Sequence, residues 1–387
     1  MELEKWPQFD VEQISKVSSI LTSGKVNYWT GIEGKSFENE FAHWLRLKYA
    51  LTMSNGTVSL YTAYKFLNLK EGDEFITTPR SFIATASAGV LLGAKPVFAD
   101  VCLDSGNITP ESIEPLISKK TRLISIVHLG GWPADIIRIS NLAKSYNIKL
   151  VEDCAQAHGA KFDGMNVGSF GKISSWSFCQ DKIISTGGEG GMLATNDKDL
   201  FEKIRSYRDH GKNIKLLENK KQNSGFRYIH DDFGNNFRLS EMQSAIGRIQ
   251  LRKLSTWNRL RTYNANLLLE NLKDLDVLRI PRPKENITHA WYKFYVYLKP
   301  NYLDSSWTRE RIIEEINLEG FPAYSGSCSE IYLEKSFQNK FNNNLILPNA
   351  RTLGDNSLMF LVHPTISKKK MQRYAEVIKK VIKKATK

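Results

Sequence analysis

Across its first 250 residues the chain alternates short apolar runs with amphipathic helical segments, and few architectures accommodate that rhythm. EFITTP, KPVFADV, RLISIVHLGG, IKLVEDC and GKISSWSF are short and rich in β-formers, whereas ADIIRISNLAKSYN between two of them repeats its apolar residues at helical spacing. FENEFAHWLRLKYALTMSNGTVSLYTAYKFLNL reads as a helix, a short strand, a turn at Ser54-Asn55-Gly56 and a second helix. Strands joined by helices in this way form an α/β domain with a mostly parallel central sheet flanked by helices.

The whole chain of 387 residues is long enough for two domains. We place a large α/β domain at 1–250 and a smaller C-terminal α+β domain at 251–387. A long helix is expected over RLSEMQSAIGRIQLRKLSTWNRLRTYNANLLLENL, followed by a strand in AWYKFYVYL and a helix in SSWTRERIIEEINL. The net charge of +13 suggests nucleic acid at first sight, but residues 368–387 hold nine basic residues and one acid, +8 of that total. In that stretch Met371, Tyr374, Ile378, Val381 and Ile382 fall at helical spacing. A terminal helix with one packed stripe and a solvated lysine face accounts for it, so no nucleic-acid partner is expected. No apolar run is long enough for a membrane span, and the N-terminus MELEKWPQFD lacks the apolar core of a secretion signal. Cys102, Cys154, Cys179 and Cys328 are widely spaced, with no metal or disulfide pattern, which points to a reducing cytoplasm.

Two charged residues in apolar surroundings carry the chemical reading. Asp153 ends the run IKLVEDC, and Lys182 follows the run ending SSWSFCQ, just before the glycines at 187, 188, 190 and 191. A lysine and a carboxylate, each at the end of an expected strand, are what a pyridoxal phosphate enzyme requires, the one to bond the aldehyde and the other to keep the pyridine nitrogen protonated. Gly56 and Thr57 follow a strand and open a helix, where backbone N–H groups can hold a phosphate. Gln156 is placed to reach the cofactor's phenolic oxygen if the chain turns helically after Asp153, and Ser177 to reach the phosphate. Phe82 in TTPRSFIATASAG is a candidate to stack on the ring. Each residue alone has an ordinary structural explanation, and His158 reads as a hydrogen-bonded structural histidine. No Gly-Lys-Ser/Thr ending follows the glycines at 187, 188, 190 and 191 as in a phosphate-binding Walker loop, and no G-x-G-x-x-G follows the first strand.

Taken together, SNGTVSLYTA, TTPRSFIATASAG, VEDCAQAHGA, SFCQDKIISTGGEGGML, YRDHGKN, NNFRLSEMQSAIGRIQL and HAWYKFYVYL resemble the DegT/DnrJ/EryC1/StrS sugar aminotransferases, which have the type I fold of pyridoxal phosphate enzymes. The resemblance runs along nearly the whole chain. It implies that Lys182 is the Schiff-base lysine and Asp153 the partner of the pyridine nitrogen. It assigns Gly56, Thr57, Phe82, Gln156 and Ser177 to the cofactor, and Asn236 to the cofactor phosphate of a neighbouring subunit, hence a homodimer with shared sites. The implied reaction moves an amino group from L-glutamate to a nucleotide-linked 4-keto-6-deoxy sugar by a ping-pong route. The alternatives are a 3-keto-sugar aminotransferase and a dehydratase, the latter carrying histidine in place of the lysine. Two departures stand out: a doubled glycine before Glu189, and FPAYSGSCSEIYLEKSF where the family has a segment rich in proline and histidine.

Overall fold

Seven strands assemble into one sheet, in the order Tyr49–Met53, Gly191–Thr195, Ile173–Ser177, Lys149–Asp153, Thr121–Val127, Glu74–Thr77 and Lys95–Phe98. The computed structural model describes residues 3–218, 229–341 and 344–387. The five strands from Ile173–Ser177 to Lys95–Phe98 are parallel. Their interiors are buried on both faces: Phe75, Ile76, Ile124, Ile126 and Val151 have no exposed surface. That explains why these strands read as continuous apolar runs rather than alternating ones.

Gly191–Thr195 is antiparallel to both of its neighbours, and the sequence reading did not include it. The chain leaves Ser177, passes through the Lys182 loop and turns back, with no crossover helix between. Its glycines fold that return path, with Gly187 and Gly188 at φ of 87° and 126°.

The long helix is Glu241–Leu272, started by a capping box in which Ser240 accepts from the Gln243 N–H and the Gln243 side chain accepts from the Ser240 N–H. It contacts the helix Glu33–Leu45 and the terminal helix Lys368–Lys384, so it joins the two halves of the chain. Residue 250, the end of the large domain in the sequence reading, lies inside it. Beyond it, Leu278–Arg279, Phe294–Leu298, Ser357–Phe360 and Ala323–Tyr324 form an antiparallel four-stranded sheet. All five apolar residues foreseen for the terminal helix are buried against this sheet's core, each at 1% exposure or less. Burying each contributes roughly 1.5–3 kcal/mol. Among the described residues no helix is long and apolar enough to cross a membrane.

Candidate active site

A cleft of about 1920 Å³ opens at the carboxyl ends of the parallel strands and extends to the C-terminal sheet. Asp153 and Ser177 are the last residues of adjacent parallel strands, and the pairing of Asp153 with Ser175 sets them side by side. Gly56 and Thr57 begin the helix Gly56–Phe66. Asn55 caps that helix by accepting from the Val58 N–H at 3.0 Å, which leaves the Gly56 and Thr57 N–H groups at the cleft. A Cβ on Gly56 would sit 2.6 Å from the Ser177 Cβ, and one on Gly191 would sit 2.5 Å from the Asn55 carbonyl oxygen. The phosphate end is therefore a place where three backbone segments touch. Only glycine permits that approach.

The strand leading into this loop is anchored from behind. Glu38 accepts from the Thr52 N–H at 3.0 Å and from the Thr52 hydroxyl at 2.8 Å, and it pairs with the buried Arg208. Arg208 in turn donates to the Thr52 carbonyl at 2.9 Å. Here the YRDHGKN block does structural work, locking the strand end just before Ser54.

Asp153 is 4% exposed; its carboxylate accepts from the Thr85 hydroxyl at 2.7 Å and from the Ala155 N–H at 3.1 Å. Burial raises its pKa, against the lowering effects of those hydrogen bonds and of the charge on Lys182. Both contacting donors are neutral, so this buried carboxylate fits a cationic ring nitrogen. Gln156 accepts from the Gly130 N–H at 2.7 Å, which commits its carbonyl and leaves its NH₂ as the donor for a phenolic oxygen. Phe82 lines the same cleft and is 66% exposed, an unusual position for a phenylalanine without a ring to cover it. The donor set, the glycine cradle and the carboxylate together fit pyridoxal phosphate.

Lys182 sits on a turn, its N–H bonded to the Cys179 carbonyl at 3.1 Å and its own carbonyl held by the Trp6 indole N–H at 2.9 Å. The Lys182 Nζ donates to the Tyr292 hydroxyl at 3.2 Å and lies 3.7 Å from Asp181. Tyr292 donates onward to Asp181, and Lys293 Nζ lies 3.5 Å from the same carboxylate.

Of the residues read from sequence, Gly56, Thr57, Phe82, Asp153, Gln156, Ser177 and Lys182 all line this cleft. Asn236 does not; it is exposed on the loop that precedes the long helix, its backbone bridged to Asp209. His158 is structural but not hydrogen-bonded. It is buried against Trp176 and Phe178, with ring centroids 5.1 and 5.6 Å away, and neither ring nitrogen has a partner among the described residues. Trp6, Asp181, Tyr292 and Lys293 were not anticipated. Lys293 had a signal, as the lone charge in the apolar run AWYKFYVYL; Trp6, 176 residues away from Lys182 in sequence, had none. Below Asp153, His128, Glu152 and Cys154 bring ligand-type atoms within 4.8 Å of one another. Glu152 is already satisfied there by His128 and by the N–H groups of Gly168, Phe170 and Gly171, so the cluster braces the loop rather than awaiting an ion.

A model of the DegT/DnrJ/EryC1/StrS aminotransferase family matches residues 7–380. GDP-perosamine synthase of Escherichia coli O157:H7 is 35% identical over 276 residues, 71% of each chain. The UDP-N-acetyl-3-dehydro-alpha-D-glucosamine 3-aminotransferase of Acidithiobacillus ferrooxidans is 32% identical over 352 residues, 91% of this chain and 89% of that one. The X-ray structure of an aminotransferase from Psychrobacter cryohalolentis shares 46% identity over 99% of each chain, with a TM-score of 0.97. The chain thus belongs to the DegT/DnrJ/EryC1/StrS aminotransferase family and, like its relatives, is an aminotransferase dependent on pyridoxal phosphate.

Proposed function

We propose that this enzyme transfers the amino group of L-glutamate to a nucleotide-linked 4-keto-6-deoxy sugar, in two half-reactions run on the same lysine. The observation that carries the reading is the meeting of Lys182, Asp153 and the Gly56–Thr57 helix start in one cleft. Relatives named for GDP- and UDP-linked sugars support a nucleotide-sugar acceptor. The second of these names amination at C3, which keeps a 3-keto sugar as the second reading.

Lys182 would hold the cofactor covalently, Asp153 its ring nitrogen, and Ser177, Gly56 and Thr57 its phosphate. When bound, pyridoxal phosphate draws the electrons of the breaking substrate C–H bond into its ring. Released by the incoming amine, Lys182 Nζ takes the proton from the donor's α-carbon, and in the second half it delivers a proton to the sugar carbon that gains nitrogen. Asp153 keeps the proton on the ring nitrogen throughout. Tyr292 holds Lys182 Nζ on the cleft side of its turn between those steps. Asn236, exposed on its loop, is assigned to the phosphate site of a second copy, which makes the working enzyme a homodimer. The product would serve a surface polysaccharide such as an O-antigen.

Wild-type enzyme loaded with cofactor should absorb in the visible, and L-glutamate should bleach that band as the cofactor is aminated. K182A should lose both the band and the bleaching. An unchanged band in K182A sinks the role of Lys182; no amination by any amino acid sinks the transfer reading. Nucleotide-linked 4-keto and 3-keto sugars assayed side by side decide the acceptor.

A further inference from the structure

Among the described residues two further cationic groups, Lys293 and Arg261, converge on the reacting Lys182, and one carboxylate, Asp181, faces them. Lys293 Nζ is 3.5 Å from Asp181, Lys182 Nζ is 3.7 Å from the same residue, and both amines lie over the Tyr292 ring at 4.7 and 4.8 Å from its centroid. The buried Arg261 adds a third positive charge to the field that acts on Lys293. Asp153, the other carboxylate near Lys182, is committed to the cofactor ring under the proposed function. The Lys293 side chain is 15% exposed, and the residue lines the cleft. With Lys182 bonded to the cofactor, Lys293 and Arg261 still outnumber Asp181, and an excess of positive charge in so dry a place is unfavourable until an anion joins it.

We propose that Lys293 receives the carboxylate of the amino donor. The α-carboxylate is attached to the very carbon that gives its proton to Lys182, so its anchor has to lie beside the Lys182 side chain, where Lys293 is. A nucleotide diphosphate is held away from the reacting carbon by the width of a hexose ring and meets the cleft elsewhere. This assignment rests on the aminotransfer reading and adds to it the group that selects a carboxylate-bearing donor.

The surroundings also give it a pH dependence. Burial, with Arg261 and Lys182 adding to it and Asp181 opposing, lowers the Lys293 pKa to about 8. Among the described residues the titratable and charged groups around it are Asp181 and Lys182 from the loop after Ile173–Ser177, Arg261 from the long helix, Tyr292 beside it in the chain, Tyr295 from the strand Phe294–Leu298, and His363 beyond Ser357–Phe360. Burial keeps His363 neutral, with a pKa of about 3, so it does not titrate in the working range. The ammonium form binds a carboxylate, and that form is lost as pH rises through about 8.

Glutarate, a dicarboxylate without an amine, is the probe. Its binding to the cofactor-loaded enzyme is measured by calorimetry, with UDP as the comparison anion. K293M should weaken glutarate about 10- to 100-fold and leave UDP and the visible cofactor band unchanged. Wild-type affinity for glutarate should fall by about tenfold per pH unit above about pH 8. K293R, which keeps its charge, should hold near-wild-type affinity at pH 7 and lose that fall. Equal glutarate affinity in K293M and wild type overturns the proposal, as does a loss confined to UDP. Should the wild type aminate its cofactor with no amino acid while K293M still loses glutarate, the transfer reading fails and the carboxylate site stands.

Discussion

Replacing Gly56 by alanine tests the construction of the phosphate end, because two effects of opposite sign meet there. Gly56 is the first residue of a helix, and alanine favours an interior helical position by about 1 kcal/mol over glycine. Against this, the new Cβ would stand 2.6 Å from the Ser177 Cβ, 3.1 Å from its hydroxyl and 3.3 Å from its Cα. Carbon atoms rest at about 3.5–4.0 Å, so the helix start and the strand end have to part by about 1 Å. Such overpacking costs about 1–3 kcal/mol, and the backbone cannot absorb it locally, since Gly191 already abuts the Asn55 carbonyl. Net stability should change by no more than about 2 kcal/mol, the difference between those terms. Cofactor affinity should suffer more. The Gly56 and Thr57 N–H groups and the Ser177 hydroxyl are the proposed phosphate donors, and a displacement of this size spoils at least one charge-assisted hydrogen bond. The expected loss is about 1.5–3 kcal/mol, or about 10- to 150-fold in the dissociation constant. Titration of cofactor-free G56A with pyridoxal phosphate, followed at the bound-cofactor band, measures it. Removing the obstructing Cβ in G56A/S177G should make the alanine cost smaller than it is beside Ser177. Wild-type affinity in G56A, or strictly additive losses in the double variant, refutes the reasoning.

Two further outcomes follow from the buried groups. D153N keeps the shape of the strand end and removes its charge, so cofactor binding should survive at the phosphate end. The single-turnover rate with L-glutamate should fall at least about a hundredfold, and a rate within threefold of wild type would contradict the role given to Asp153. His158, His289 and His363 are buried with pKa values held down to about 3, chiefly by loss of hydration. Each binds a proton more readily when unfolded, so their stability contribution is complete above about pH 6.5 and is lost as pH falls below it. At pH 5 each removes about 2 kcal/mol. H158F, with a ring suited to the gap between Trp176 and Phe178, should recover about that amount in urea unfolding at pH 5. The same pH 5-to-7 difference in H158F and wild type would rule out His158 as a source.

How much of this was legible in the sequence depended on the range of the interactions involved. Parallel strands buried on both faces announce themselves as apolar runs, and their last residues face the cleft by topology alone; that is why Asp153 and Ser177 could be read. The strand Gly191–Thr195 was missed because its direction is set by a glycine-rich return loop rather than by periodicity. Tyr292 and Lys293 hid inside a run whose apolar character is decided by Phe294, Val296 and Leu298, all buried in the second sheet. Their position beside Lys182 depends on the long helix and the C-terminal half arriving together, which no local pattern encodes. His158 shows the opposite failure. The expectation that a buried histidine finds a hydrogen bond gave way to aromatic packing, and burial keeps its ring neutral.

The C-terminal segment and the Phe82 loop, which both line the cleft, are not independent, and this bears on how a substrate preference is set. The departing segment FPAYSGSCSEIYLEKSF supplies Tyr324, Ser327, Cys328 and Glu334 to the cleft lining. The same segment is tied to the loop that carries Phe82: the Ile331 N–H donates to the Pro79 carbonyl at 3.0 Å, and the buried Arg80 donates to the Ser329 hydroxyl at 2.6 Å. Arg80 also lies over the ring of Tyr295, 5.6 Å from its centroid, and Tyr295 reaches Ser327 at 3.1 Å. A shift of Ser329 or Ile331 therefore reaches Phe82 through two or three covalently linked residues, at the position proposed to stack on the cofactor. Tyr324 and Cys328 face the cleft without forming either tie. Side-chain changes at those two positions alter the shape offered to a sugar and leave the Phe82 loop where it is, whereas changes at Ser329 or Ile331 alter the segment and the Phe82 loop together.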